Sequence, residues 1–270
     1  MKLLILSVEA QWEIDRISKE AEKRGHSVVE KKPSKFDEKE LENFDAILFR
    51  AIKGEGDRAK EIAVTAKERG IVVIDRKLGL GKAVTKLAIY SKMGKAGYYV
   101  PKTIKLNKKN FDNLKEFPQG EIVVKSTRGK RGQDLYKCRR DELKNLVPKL
   151  KKDERYIIQE FVPIQKEYRV FVIDGMVYGA YSKHSKDWKH NVSLGAKAVE
   201  EEIGESEEMV SLKAFELSEN DIAGIDLAVT PNGLFVLEVN RSPGFKAFEE
   251  ATGKNVAGEI VTFIEELVGE

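Results

Sequence analysis

Apolar residues in the first third of the chain come in short continuous runs, separated by longer stretches with a helical period. Leu3-Leu4-Ile5-Leu6, Val28-Val29, Ala46-Ile47-Leu48-Phe49 and Ile71-Val72-Val73-Ile74 read as strands. Strands without polar alternation are buried on both faces, which is the signature of a small parallel sheet. Between them, residues 14–24 and 57–69 repeat their apolar positions at helical spacing and close on Gly25 and Gly70, the residue that most readily ends a helix.

The pattern then changes twice. From Gly81, a helix is expected to carry Val84, Leu87, Ala88 and Met93, with Gly97 and Pro101 stopping it. A strand over residues 122–125 runs into a glycine loop, a second strand holds Leu135-Tyr136, and a helix is expected over 141–150. The last third is a series of hairpins. Residues 168–173 and 176–182 flank Asp174-Gly175, a dipeptide that suits a type I′ turn. Residues 222–229 and 234–239 flank Thr230-Pro231-Asn232-Gly233, and a helix ending near Val268 closes the chain. These patterns predict a mixed α/β and α+β protein in three units: an N-terminal Rossmann-like unit over 1–80, a central lobe over 81–161 and a C-terminal lobe over 162–270.

Composition narrows the class. The 270 residues exceed a usual single domain, and 41% hydrophobic residues suffice for packed cores. Lys and Arg number 48 against 45 Asp and Glu, so the net charge is only +3 and no basic arm is present; a nucleic-acid partner is not expected. One cysteine, Cys138, excludes an internal disulfide framework. The apolar start is too short for a signal peptide, and no apolar run reaches the ~20 residues of a membrane helix. The expectation is a cytoplasmic protein without a membrane partner.

Two glycine motifs imitate nucleotide sites. Gly54-Glu55-Gly56-Asp57-Arg58-Ala59 matches a dinucleotide fingerprint and would make the chain an NAD-dependent oxidoreductase. It follows a later strand than the first, and Ala51-Ile52-Lys53 loosen the turn that would hold a pyrophosphate. Gly79-Leu80-Gly81-Lys82 resembles part of a P-loop, but Arg76 replaces the upstream glycine and Ala83 the magnesium-binding hydroxyl. Both are set aside.

Three other segments carry chemistry. Glu238 and Asn240 are two apart on a strand and share a face; a hairpin centred on Asn232 would put Asp226 opposite Glu238. Two carboxylates and an amide carbonyl are hard-cation ligands suited to Mg²⁺, unless they form only a solvated sheet face. Lys125 ends an apolar strand before Ser126-Thr127-Arg128-Gly129-Lys130-Arg131-Gly132, a loop able to close over phosphates or simply a hairpin with a basic tip. The apolar end Ile157-Ile158-Gln159-Glu160-Phe161-Val162 offers a wall for a purine. Glu167 can accept from a ribose, and Arg169, on the same face, can reach a transferring phosphoryl group; a surface ion pair explains those two equally well.

Taken in order, these segments resemble the ATP-grasp superfamily, and within it the ribosomal-protein S6 glutamate ligase group, from about residue 85 onward. The shared features are a lysine-bearing helix, Val-Val-Lys with a glycine loop, Gln-Glu-Phe, acid-x-Arg, Asp…Glu-x-Asn, and the tail from Ser242-Pro243-Gly244-Phe245 to Thr252-Gly253-Lys254-Asn255. Glu167 stands where the group more often has Asp, and Leu194-Gly195-Ala196 where Arg-Gly-Gly is common. The resemblance implies an ATP-grasp fold and an ATP-dependent carboxylate–amine ligase working through an acyl phosphate. It implies ATP with two Mg²⁺ ions, for which Mn²⁺ can substitute. It places Lys86 and Lys125 on the phosphates, Glu160 and Phe161 on adenine and Glu167 on ribose. Lys189, His190 and Asn191 would approach the γ-phosphate and metal. Asp226, Glu238 and Asn240 would ligate the metal, and Arg169 and Arg241 would steady the acyl phosphate and the oxyanion. The expected partners are a carboxylate acceptor, in one version a small protein, and an amino acid such as glutamate, with Lys53, Arg76, Lys183 and Lys186 as candidates for binding its carboxylates; a homo-oligomer is expected. The alternatives are a lysine- or arginine-biosynthesis ligase acting on a carrier protein, and a small-molecule kinase of the same fold.

Overall fold

The computed structural model describes residues 1–82, 86–107, 114, 117, 119–127, 134–153, 155–184 and 197–269, and three sheets organise them. The first is parallel, in the order β2-β1-β3-β4, from β1 (Lys2–Leu6), β2 (Ser27–Lys31), β3 (Ala46–Phe49) and β4 (Val72–Ile74). Its apolar runs are buried on both faces, as their lack of alternation requires. Leu3, Ile5 and Leu48 pack with α1 (Trp12–Lys23) and α8 (Val256–Gly269); Leu4, Leu6 and Ile47 pack with α2 (Gly56–Glu68). The dinucleotide look-alike lies where α2 begins, after β3 rather than β1. The P-loop look-alike begins at the last residue of the short α3 (Arg76–Gly79).

The second sheet is antiparallel, order β5-β8-β6-β7: β5 (Thr103–Lys105), β6 (Glu121–Ser126), β7 (Leu135–Arg139) and β8 (Tyr156–Glu160). Ile122, Val124, Tyr156 and Ile158 turn one face into a core with Leu143 and Leu150. Residues 141–150 do not form the single helix expected. Pro148 removes an N–H that a helix interior needs, and only α5 (Leu143–Leu146) is α-helical, flanked by 3₁₀ turns.

The third sheet, also antiparallel, has the order β11-β10-β9-β12-β13: β9 (Lys166–Ile173), β10 (Met176–His184), β11 (Lys197–Glu201), β12 (Ile222–Thr230) and β13 (Gly233–Asn240). Asp174 and Gly175 both have positive φ, 47° and 77°, as a type I′ turn demands. Val170, Val172, Ala223, Ile225 and Leu227 face α4 (Lys86–Lys95) and α6 (Glu205–Ser218). Helix α6 was not expected from the pattern: its buried positions are the small residues Ser211, Ala214 and Ser218, while Met209 stays 60% exposed. On the other face, Phe171 and Ile173 pack with Phe248 of α7 (Lys246–Thr252) and with α8, which shares their core with the first sheet.

No helix among the described residues is long and apolar enough to cross a membrane. Phe248 is fully buried, with Phe171 at 4.7 Å and Tyr178 and Tyr181 at 6.1 and 6.2 Å between ring centroids. Phe248→Ala should therefore lower unfolding free energy by about 3–5 kcal/mol, measured by urea denaturation.

Candidate active site

The polar end of the third sheet carries the site. On β9, Phe171 continues the apolar face, but two and four residues earlier the same face presents Arg169 and Glu167. Asp226 pairs with Arg169 on one side and with Glu238 on the other, and Gly224 pairs with Asn240. The expected register Asp226–Glu238 is present, but for a different reason. The turn is tighter than supposed, with Thr230 opposite Gly233; a β-bulge then places Leu237 as the extra residue between the Leu227–Val236 and Asp226–Glu238 pairs. Without that bulge Asp226 would oppose Leu237, and Glu238 would turn to the helical side.

Asp226 is the centre of a buried ion network. Arg169 Nε and Nη2 donate to its two carboxylate oxygens at 2.5 and 2.6 Å, and Lys183 Nζ donates at 2.7 Å. Lys183 also donates to Glu167 at 2.5 Å, and Asn240 Nδ2 lies 3.4 Å from Asp226. Burial pushes the Asp226 carboxyl up, but the adjacent Arg169 and Lys183 outweigh it and hold it well below the usual carboxylate range. Glu167 goes the other way: burial raises its pKa, and Lys183 only partly offsets that.

Lys125 meets this face from the opposite sheet. Its Nζ lies 3.4 Å from the Tyr90 hydroxyl, which itself donates to Leu237 O at 2.7 Å. Burial lowers the pKa of the Lys125 ammonium, while the field of Glu238, Asp226 and Glu167 opposes that shift. Lys125 of the second sheet therefore lies within the field of the carboxylates of the third.

The segment joining those sheets begins at Glu160 and Phe161. Glu160 Oε1 accepts from Lys102 N at 2.8 Å, and Lys137 Nζ lies 3.7 Å from the centre of the Phe161 ring. Val162, Ala228 and Phe235 form an apolar cluster beyond it. Arg241 does not face Asp226; its side chain leaves the strand end toward the first sheet, with Nη1 3.4 Å from Asp75 Oδ2. Lys86 stands first in α4, and its side chain lies outside what is described, as do Lys189, His190, Asn191 and the glycine loop 128–132.

The donor set fits a hard cation that keeps other ligands. Among the described residues no three His, Cys, Asp or Glu side chains are gathered for a metal. Two carboxylates and an amide suit Mg²⁺, which completes its shell with water and phosphate oxygens rather than in an all-protein cage. Gly224 carries the remaining constraint, and sequence reasoning missed it. A Cβ there would lie 2.7 Å from Pro243 Cβ and 3.0 Å from Arg169 Cδ, so only glycine lets the turn after Asn240 close over the Arg169 side chain.

Two sheets that clasp a charged cleft beside a parallel sheet form the ATP-grasp architecture. A solved structure of the ATP-grasp ligase PsnB, complexed with minimal precursor, Mg and ADP, superposes with a TM-score of 0.74 over 99% of this chain and 98% of that one, at 16% identity. Residues 86–264 match the RimK-like ATP-grasp domain family, and the chain belongs to that family. It is an ATP-dependent carboxylate–amine ligase. A probable alpha-L-glutamate ligase of Cellvibrio japonicus is 26% identical over 84% of this chain and 78% of its own. A coenzyme gamma-F420-2:alpha-L-glutamate ligase of Methanocaldococcus jannaschii is 34% identical over 53% and 52%.

The network sets the response to acid. A carboxyl whose folded pKa is depressed stabilises the fold above its unfolded pKa, near 4, and that contribution is lost as pH falls below it. Asp226→Asn, which leaves Arg169 and Lys183 without their shared anion, should cost about 3–5 kcal/mol at neutral pH. Its urea midpoint should then fall less than the wild type's between pH 5 and pH 2.

Proposed function

We propose that this ligase attaches an acidic amino acid, L-glutamate in the first instance, through its amino group to a carboxylate acceptor activated as an acyl phosphate. The observation that carries the reading is the Asp226–Glu238–Asn240 face with Arg169 on it and Lys125 across from it. The choice of amino acid is supported by relatives named as alpha-L-glutamate ligases.

ATP lies between the two antiparallel sheets. Its adenine sits at the Glu160-Phe161 segment against the apolar cluster beyond, and its ribose near Glu167. Lys125 neutralises α- and β-phosphate oxygens as a point charge. Asp226, Glu238 and Asn240 are the residues that would hold Mg²⁺, which would supply neutralisation of the charge that builds on the terminal phosphates. Arg169, held on that face by Asp226, would supply a guanidinium beside the transferring phosphoryl group.

The acceptor carboxylate oxygen attacks the γ-phosphorus, the bond to the β-phosphate oxygen breaks, and ADP leaves. The amine then attacks the acyl carbon, phosphate departs with its oxygen, and the amine loses a proton to give the amide. Positioning and charge neutralisation supply the rate, and no nucleophilic side chain is needed.

Glu238→Gln keeps the strand pairing but loses the carboxylate charge. The Mg²⁺ concentration for half-maximal turnover should rise by at least about tenfold, the scale on which even an outer ligand partner matters; an unchanged magnesium titration would reduce this face to a polar sheet surface. The bond broken gives a second check. With hydroxylamine in place of the amine, an accepted acid should yield a hydroxamate with ADP formed in step. AMP and pyrophosphate would show attack at the α-phosphorus, and ADP with a stable phosphorylated product would show a kinase.

A further inference from the structure

Two of the four cations expected to bind carboxylates are committed elsewhere. Lys183 is buried between Glu167 and Asp226. Arg76 is tied to Asp221 by Nε at 2.5 Å and to Asp174 by Nη2 at 3.1 Å. The acidic amino acid needs other partners, and the first sheet supplies them. Its strand order places the topological switch between β1 and β3, where ligands of parallel sheets gather beyond the carboxyl ends of the strands. Arg50 follows β3, Asp75 follows β4, and the turn from Arg241 to Gly244 lies against both.

This junction has unused hydrogen-bonding capacity. Among the described residues, four buried side-chain atoms lack a hydrogen-bond partner, and three belong here: Arg50 Nε, Arg241 Nη2 and Asp75 Oδ2. Arg50 is only 2% exposed, and among the described residues no carboxylate forms an ion pair with it. Its Nη2 donates to Pro243 O at 2.7 Å, and its guanidinium lies 5.6 Å from the centre of the Phe245 ring. Burial pushes its pKa down to about 10, opposed by the field of Glu13 and Asp75. The anions facing Arg50, Arg241 and Lys77 are Asp75, Glu13 and, at Lys77, also Asp221 and Glu219, and among the described residues none of them forms an ion pair with Arg50. A buried guanidinium in that state is costly unless an anion completes it.

We propose that this junction is the carboxylate-binding subsite for the amino acid that supplies the amine, with Arg241 as the direct partner and Arg50 as the fixed charge behind it. The inference rests on the amino-acid ligase reading above, and it gives Arg241 a substrate carboxylate rather than the oxyanion. The Arg241 side chain is 26% exposed although its Nη2 is buried, and the Glu13 carboxylate stands close to the exposed Gly244, 3.0 Å from where a Cβ would lie. The subsite adjoins the phosphate end of the cleft, because Arg241 directly follows Asn240 and Pro243 packs on Gly224 next to Arg169. The chemistry favours the amine's owner over the acid. The reacting carboxylate gives up its own charge when phosphorylated, the charge then lying on the transferred phosphoryl group, whereas an amino acid keeps its carboxylates throughout, and a permanent guanidinium suits a permanent anion.

The test is calorimetric titration of L-glutamate into the full chain, with and without saturating MgADP. Wild type should bind, and Arg241→Gln and Arg50→Gln should each weaken binding about ten- to a hundredfold, the range for losing a charged hydrogen bond. Arg76→Gln should change it less than about twofold. Thermal unfolding monitored by circular dichroism checks that each variant folds; if Arg50→Gln does not, the variant at the partly exposed Arg241 decides. No glutamate binding by wild type, or equal binding by wild type and Arg241→Gln, overturns the subsite. Failure of MgADP to bind would instead count against the nucleotide reading, so the two outcomes stay separate.

Discussion

The site depends on one buried carboxylate. Asp226 sits mid-strand in β12, with Arg169 bidentate on one side and Lys183 completing its shell. Burying two cations and two anions at one end of a sheet is tolerable only when each charge has a partner, so the network is all-or-none. Arg169 and Lys183 place positive charge directly on the Asp226 carboxylate, so the acidic face is neutralised within the fold itself.

Around that centre, geometry is enforced by two local irregularities. The bulge at Leu237 rotates Glu238 and Asn240 onto the face of Asp226. The missing side chain at Gly224 lets Pro243 descend on the sheet beside Arg169, which fixes the direction of the turn after Asn240. That turn is then anchored to the first sheet, since Arg50 donates to Pro243 O and Asp75 pairs with Arg241. The parallel sheet therefore takes part in shaping the turn beside Asp226 and Arg169, and helix α8 packs into a core shared by the first and third sheets.

Much of this was legible along the chain. Continuous apolar runs specified the buried parallel strands, because a strand covered on both faces has no solvated side to mark. The Asp-Gly turn specified a hairpin, because few residues accept two successive positive φ values. Spacing two apart put Glu238 with Asn240 and Glu167 with Arg169 on common faces, because a strand alternates strictly. Helix α6 was not legible, since its buried stripe is built from Ser211, Ala214 and Ser218 and its larger residues lie elsewhere. The helix expected over 141–150 failed because Pro148 removed a backbone donor its interior required.

By itself, then, the sequence determined which residue types stand at which strand positions: two carboxylates, an amide and an arginine on adjacent strands of the third sheet, and a lysine near the end of a strand in the second. Tertiary structure alone decided which charges meet. Nothing local ties Arg50 to Pro243, Asp75 to Arg241 or Lys183 to Asp226, because those pairs are separated by 193, 166 and 43 residues along the chain. Partners so distant are chosen by strand order and by the packing of one sheet against another. Whether a cation is neutralised or left to receive a ligand is a property of that packing, since it depends on distances that only the folded chain sets.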